Sequence, residues 1–113
     1  MAIEVDESGV ALREMSASTA GVIVSWSWSS VERVQAFKRD LVVVDLICLQ
    51  FSLAGGKVIE VDEEMKGFEA LVAVMPQQLL GCPPFAEWWH PVAVPAFATN
   101  ERVLYARLPG GAA

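Results

Sequence analysis

The chain has 113 residues, the size of a single domain, and its 14 acidic side chains outnumber its 8 basic ones, giving a formal net charge of −6. Basic residues are scattered apart from Lys38-Arg39, so no concentrated positive patch draws in a phosphate backbone or an anionic bilayer; nucleic acid and membrane surfaces are excluded as partners. A hydrophobic fraction of 54 % beside a charged fraction of 19 % leaves apolar surface for a protein contact.

The opening, MAIEVDESGV, carries acids where an export signal needs positive charge and an apolar core, which points to the cytoplasm. After the turn-forming Glu7-Ser8-Gly9, Val10 to Met15 reads as a first strand, and Ser16 to Gly21 as a loop. From Val22 the residues Val22, Val24, Trp26 and Trp28 alternate with Ile23, Ser25 and Ser27, which predicts a half-buried strand with its tryptophans on one face. Trp28 to Val31 interrupts that alternation as a turn, and Glu32 to Lys38 resumes it.

Arg39-Asp40 is expected to turn the chain into Leu41 to Leu53, LVVVDLICLQFSL, which reads as one long strand, apolar on both faces over its first half. Such a strand has to be covered on both sides. It is too short for a membrane helix, which needs about 20 apolar residues, and Asp45 interrupts it. Ala54-Gly55-Gly56-Lys57 is a hairpin signal, since consecutive glycines supply positive φ, and Lys57 to Val61 is the partner strand.

Asp62 is expected to cap a helix over about 63–75. Glu63 and Glu64 complement its positive end, and Met65, Phe68, Leu71, Val72 and Met75 form its apolar stripe. Gly67 inside that helix costs up to about 1 kcal/mol, which suggests close packing against the sheet, and Pro76 marks the end region. Phe85 to Val94 predicts a short helix behind Pro84. Arg102 to Leu108 predicts a closing strand. The expected fold is α+β: an antiparallel, strand-rich curved sheet packed by one main helix, with a short helix and a closing strand after it. Residues 1–108 form one globular domain and 109–113 a flexible tail.

The run Gly9-Val10, Trp28-Ser29-Ser30-Val31-Glu32-Arg33-Val34, the long strand, Glu63-Glu64 with Gly67-Phe68 and Leu71, then Pro95-Ala96-Phe97, Thr99-Asn100 and Tyr105 to Arg107 is similar to small uncharacterised bacterial proteins. That resemblance brings neither function nor site. The tryptophan-turn-valine element also resembles bacterial pleckstrin-homology-like and GRAM-like domains, which implies a curved sheet closed by a helix. About a third of this chain follows the main helix, a departure from that plan, and the basic phosphoinositide site of some such domains has no counterpart here.

Candidate chemistry is sparse. His90 is the single histidine, which rules out a multi-histidine metal site, and Glu87 with His90 at helical spacing lacks the repeated motif and extra glutamates of a di-iron bundle. A nucleophilic Cys82 would need His90 as its base, across the stiff Pro83-Pro84. Cys48 reads as a core residue; with no C-x-x-C spacing, neither a disulfide framework nor a zinc site is expected. Glu60, Asp62, Glu63 and Glu64 lack the ligand alternation of a calcium loop. Asp45 needs a partner in its apolar strand, with Arg33 or Lys38 as candidates for a buried ion pair.

Four tryptophans remain. Trp88 and Trp89 are helical neighbours that cannot face one core together, so one of them, with Phe85, Glu87 and His90, is the candidate interface or pocket lining. The expectation is a non-enzymatic interaction domain without cofactors, self-associating as a homodimer, immunity-like or regulatory in role. The alternative is a small-molecule binder or enzyme with its pocket near Phe85–Val94.

Overall fold

A computed structural model of the chain describes residues 1–15, 20–41, 44–93 and 101–107; the side chains of residues 15, 20, 40, 41, 44 and 45 lie outside that description. So do the 109–113 tail, the Pro95 to Asn100 segment and Leu108. The fold is α+β with two antiparallel sheets where one curved sheet is expected. Strands β1 (Ala2–Val5), β2 (Gly9–Met15) and β3 (Ala20–Ser27) form the first, in the order β1-β2-β3. Strands β4 (Val31–Leu41), β5 (Val44–Leu53), β6 (Val58–Asp62) and β7 (Arg102–Ala106) form the second, in the order β6-β5-β4-β7.

The division falls at Trp28–Ser30, a 3-10 turn that breaks the extended chain between β3 and β4. Trp28 is buried there, and its indole N–H donates to the Asp6 carbonyl at 2.8 Å, tying the corner to the β1–β2 turn. One core joins the layers. Trp26 packs on Phe51 with ring centroids 5.3 Å apart, and Val34, Leu49, Val61, Leu71, Met75 and Trp88 fill the space beneath.

The β4–β5 hairpin is central to its sheet, and Leu46, Ile47, Cys48 and Leu49 are all buried, which meets the requirement for cover on both faces. Cys48 lies between Phe37 and Asp62 in the register, beside an Arg39–Glu60 ion pair of 2.6 Å whose guanidinium stands 5.5 Å from the Phe37 ring centre. The chain does not turn at Arg39-Asp40. The ladder continues through Arg39↔Leu46, Asp40↔Asp45 and Leu41↔Val44, so Leu41 belongs to β4 and the reversal falls at 42–43, outside the described residues. The Gly55-Gly56 hairpin is present, with φ of 89° and 88°.

Two bulges shift the expected alternation. Between β2 and β3, Leu12 faces Val24 while Arg13 faces Val22, so Ile23 is the extra residue and Val22 drops out of phase with Trp26. Between β4 and β7, Val34 faces Tyr105 while Gln35 faces Val103, and Leu104 is the extra residue; consecutive Leu104 and Tyr105 are consequently both buried.

The main helix, α1, spans Phe68–Gln78 rather than about 63–75. Asp62 cannot open it because Asp62 is still paired with Cys48 in β6, and its carboxylate accepts the Glu64 N–H at 3.0 Å in a turn. Gly67 precedes the first turn at φ 94° instead of lying inside the helix, and a Cβ there would come within 2.0 Å of the Ile3 carbonyl oxygen. Close packing is thus the reason for this glycine, at the start of the helix. Pro76 sits within α1, which runs on until the Leu79 N–H closes on the Met75 carbonyl at 2.8 Å. Helix α2 spans Phe85–Ala93 and carries Pro91 inside it. Sequence reading assigned no strand to Ala2–Val5; β1 pairs with β2 on one side, and on the other its Ile3 N–H donates to the Lys66 carbonyl at 2.6 Å.

Candidate interaction surfaces

The two candidate partners of Asp45 stand at different places along β4, Lys38 close to Asp40, which faces Asp45, and Arg33 at the far end. Arg33 faces Ser52 at the other end of the β4–β5 hairpin and is exposed, so the register does not bring it to Asp45. Lys38 faces Ile47 and is buried; its ammonium donates to the carbonyl of Ala93, the last residue of α2, at 2.7 Å. That bond satisfies a carbonyl left over at a helix C-terminus and places positive charge at the negative end of the dipole. The side chain of Asp45 lies outside the described residues.

Helix α2 separates its tryptophans as helical geometry requires. Trp88 is 1 % exposed and meets Phe85 edge to face at 4.8 Å; Trp89 is 40 % exposed, stacks on Phe85 at 6.4 Å and meets His90 edge to face at 5.7 Å. Phe85 continues inward to Phe68 at 6.4 Å. Phe85, Trp89 and His90 therefore form an aromatic patch rooted in the core, with Glu87 exposed beside it on the same helix. Cys82 is buried, and burial pushes its thiol up to about 11, opposite to the shift that activates a nucleophile.

The acidic group at the β6–α1 junction is spent on structure. Glu60 pairs with Arg39, and a Glu63 carboxylate oxygen accepts the Ile47 N–H at 3.0 Å while the Glu63 N–H donates to the Ile47 carbonyl. These bonds pin the junction to the start of β5. Among the described residues no three His, Cys, Asp or Glu side chains converge in a way that could hold a metal ion.

Among the described residues two depressions stand out, and neither is lined by the α2 aromatics. The larger, about 640 Å³, is a trough on the outer face of the first sheet, floored by Gly9, Ala11, Ser25 and Ser27. Its acids are already engaged: Glu4 pairs with Arg13 at 3.0 Å, and the Asp6 carboxylate accepts the Ser8 and Gly9 N–H groups at 2.8 and 3.0 Å. The second, about 340 Å³, lies against Met65 and Phe68 at the start of α1.

The two sheets end in four edges of unequal character. β1 is bridged to Lys66. β6 is five residues long and carries Glu60 and Asp62; β7 is also five residues long and lies between Glu101 and Arg107. β3 differs from all three. It is eight residues long, AGVIVSWS, holds neither charge nor proline, and among the described residues is bonded to β2 alone. Val22 and Ile23 on it are 52 % and 51 % exposed. Natural sheets commonly guard an edge with charge, proline, shortness or cover, and β3 has only its bulge. Sequence reading missed this edge, although a signal for it was present: no charged residue occurs between Glu14 and Glu32.

No family model, curated protein or solved structure matches the chain. Neither the likeness to small bacterial proteins nor the pleckstrin-homology-like one gains support beyond the sequence elements that suggested it. Among the described residues no helix is long and apolar enough to cross a membrane.

Proposed function

We propose that this protein is a non-enzymatic binding domain that takes up a protein partner by strand addition along the open edge of β3. The observation that carries the reading is that edge itself: eight uncharged residues, unpaired on one side among the described residues, with Val22 and Ile23 about half exposed. Strand addition draws affinity from main-chain hydrogen bonds and selectivity from alternate side chains, and β3 offers both. Two free, buried cysteines suit a reducing compartment such as the cytoplasm.

Amide hydrogen exchange tests it directly. A synthetic extended peptide of alternating valine and threonine, with lysines at its ends, is expected to slow exchange across Ala20–Ser27 and leave Arg102–Ala106 unchanged; Ile23→Lys is expected to abolish that protection. Exchange in β3 that ignores the peptide at millimolar concentration overturns the reading.

A second reading rests on the exposed Trp89 stacked on Phe85. Aromatics anchored in this way are enriched at the centres of interfaces. A partner seated there would change tryptophan fluorescence, and Trp89→Ala would remove that change while the β3 edge kept its own response.

A further inference from the structure

We infer that the occupant of the β3 edge is a second copy of this chain, its β3 running antiparallel to the first about a two-fold axis close to Ile23, so that the two three-stranded sheets become one of six strands. The inference rests on the strand-addition reading above and names its partner.

Charge is the first argument. Each copy carries −6, so two copies approach best where neither presents an acid, and β3 is uncharged along its whole length. The other exposed edges fail this test. On β6 a pairing about its central Glu60 would set that acid against its counterpart, and β7 is shorter than β3 and carries the charge of Arg102. A basic partner, by contrast, would find its complement on the acidic surface rather than on this neutral edge.

Self-complementarity is the second. A two-fold axis perpendicular to a sheet pairs residues of the same face, which an antiparallel register about Ile23 satisfies. Ile23, the bulged residue, then lies against Ile23 of the second copy at the axis with Val22 and Val24 on either side of it, so that branched apolar residues gather about the axis. The pairing involves Val22 and Ile23, both about half exposed. One strand pair is a small contact compared with the roughly 800 Å² per partner of a standard interface. The dimer is accordingly expected to dissociate on dilution.

Sedimentation velocity over a hundredfold concentration range decides the matter on the intact protein. The wild type is expected to move from monomer to dimer as concentration rises. Ile23→Lys, which sets two ammonium groups against each other at the axis, is expected to stay monomeric at the highest concentration, while Val58→Lys on the β6 edge dimerises like the wild type. Circular dichroism confirms that each variant is folded; should Ile23→Lys fail to fold, Val22→Lys takes its place. A wild type that stays monomeric throughout overturns the second-copy inference, and so does a dimer that survives both edge variants. Failure of the broader reading looks different. If the protein is monomeric but the valine-threonine peptide still protects β3, strand addition stands and only the identity of the partner is wrong; if β3 also ignores the peptide, both fall.

Discussion

The β2–β3 and β4–β5 hairpins start from similarly apolar strands and come to opposite ends. VIVSW in β3 and LICLQF in β5 would each serve as the middle of a sheet, yet β5 is flanked on both sides and loses Leu46 through Leu49 to the interior, whereas β3 is flanked once and leaves Val22 and Ile23 in solvent. The second sheet gains its two flanking strands from chain that comes later, β6 through the Gly55-Gly56 turn and β7 after both helices. Among the described residues the first sheet receives no such strand beyond β3. Apolar character alone thus does not tell a core strand from a docking edge; the supply of neighbours does.

Substitution of one apolar residue in each hairpin should produce the widest gap. Phe51→Ala removes a fully buried ring that packs on Trp26 and is expected to cost about 3–5 kcal/mol, while Val22→Thr on the open strand should stay within about 0.5 kcal/mol; urea denaturation measures both. Equal losses at the two sites would break the contrast between them.

Next in size is the seam where the first sheet meets α1. Gly67→Ala forces an L side chain into φ 94° and against the Ile3 carbonyl, and is expected to cost roughly 2–3 kcal/mol. It should loosen β1 before the second sheet, so amide exchange near Ile3 is expected to quicken while that of β5 holds.

The smallest effect separates the sheets by pH. Burial pushes the Cys48 and Cys82 thiols up to about 11 from an ordinary 9.0, so the folded chain holds these protons more tightly than the unfolded chain does. Stability from this source is complete below about pH 9 and declines as pH rises towards 11, because the unfolded state sheds its protons first. A Cys48→Ala, Cys82→Ala variant is expected to show a shallower decline across that window. Neither cysteine belongs to the first sheet, so β3 should play no part in the difference.

Much of this arrangement can be read from local chemistry. The Gly55-Gly56 turn, the double cover of the long strand and the opposed faces of Trp88 and Trp89 all follow from residues close in sequence. What escaped depended on distant partners. Ile23 and Leu104 become bulges only because Leu12 and Val34 set the register of the neighbouring strand, and Asp62 stays extended because Cys48 pairs with it. The Ala93 carbonyl that Lys38 holds lies far along the chain, beyond the reach of local pattern. Of the candidate site, the aromatic patch was legible from helical spacing. The open edge was not, since openness is a property of strand order.

The bond between Ile3 and Lys66 has a consequence for synthesis. Domains form as their chain emerges from the ribosome, N-terminal parts first. β1, β2 and β3 can pair early, but the residue that bridges the outer edge of β1 among those described is Lys66, more than halfway along the chain. Until then the nascent first sheet shows two bare edges, one temporary and one lasting, and neighbouring chains on the same message would meet both.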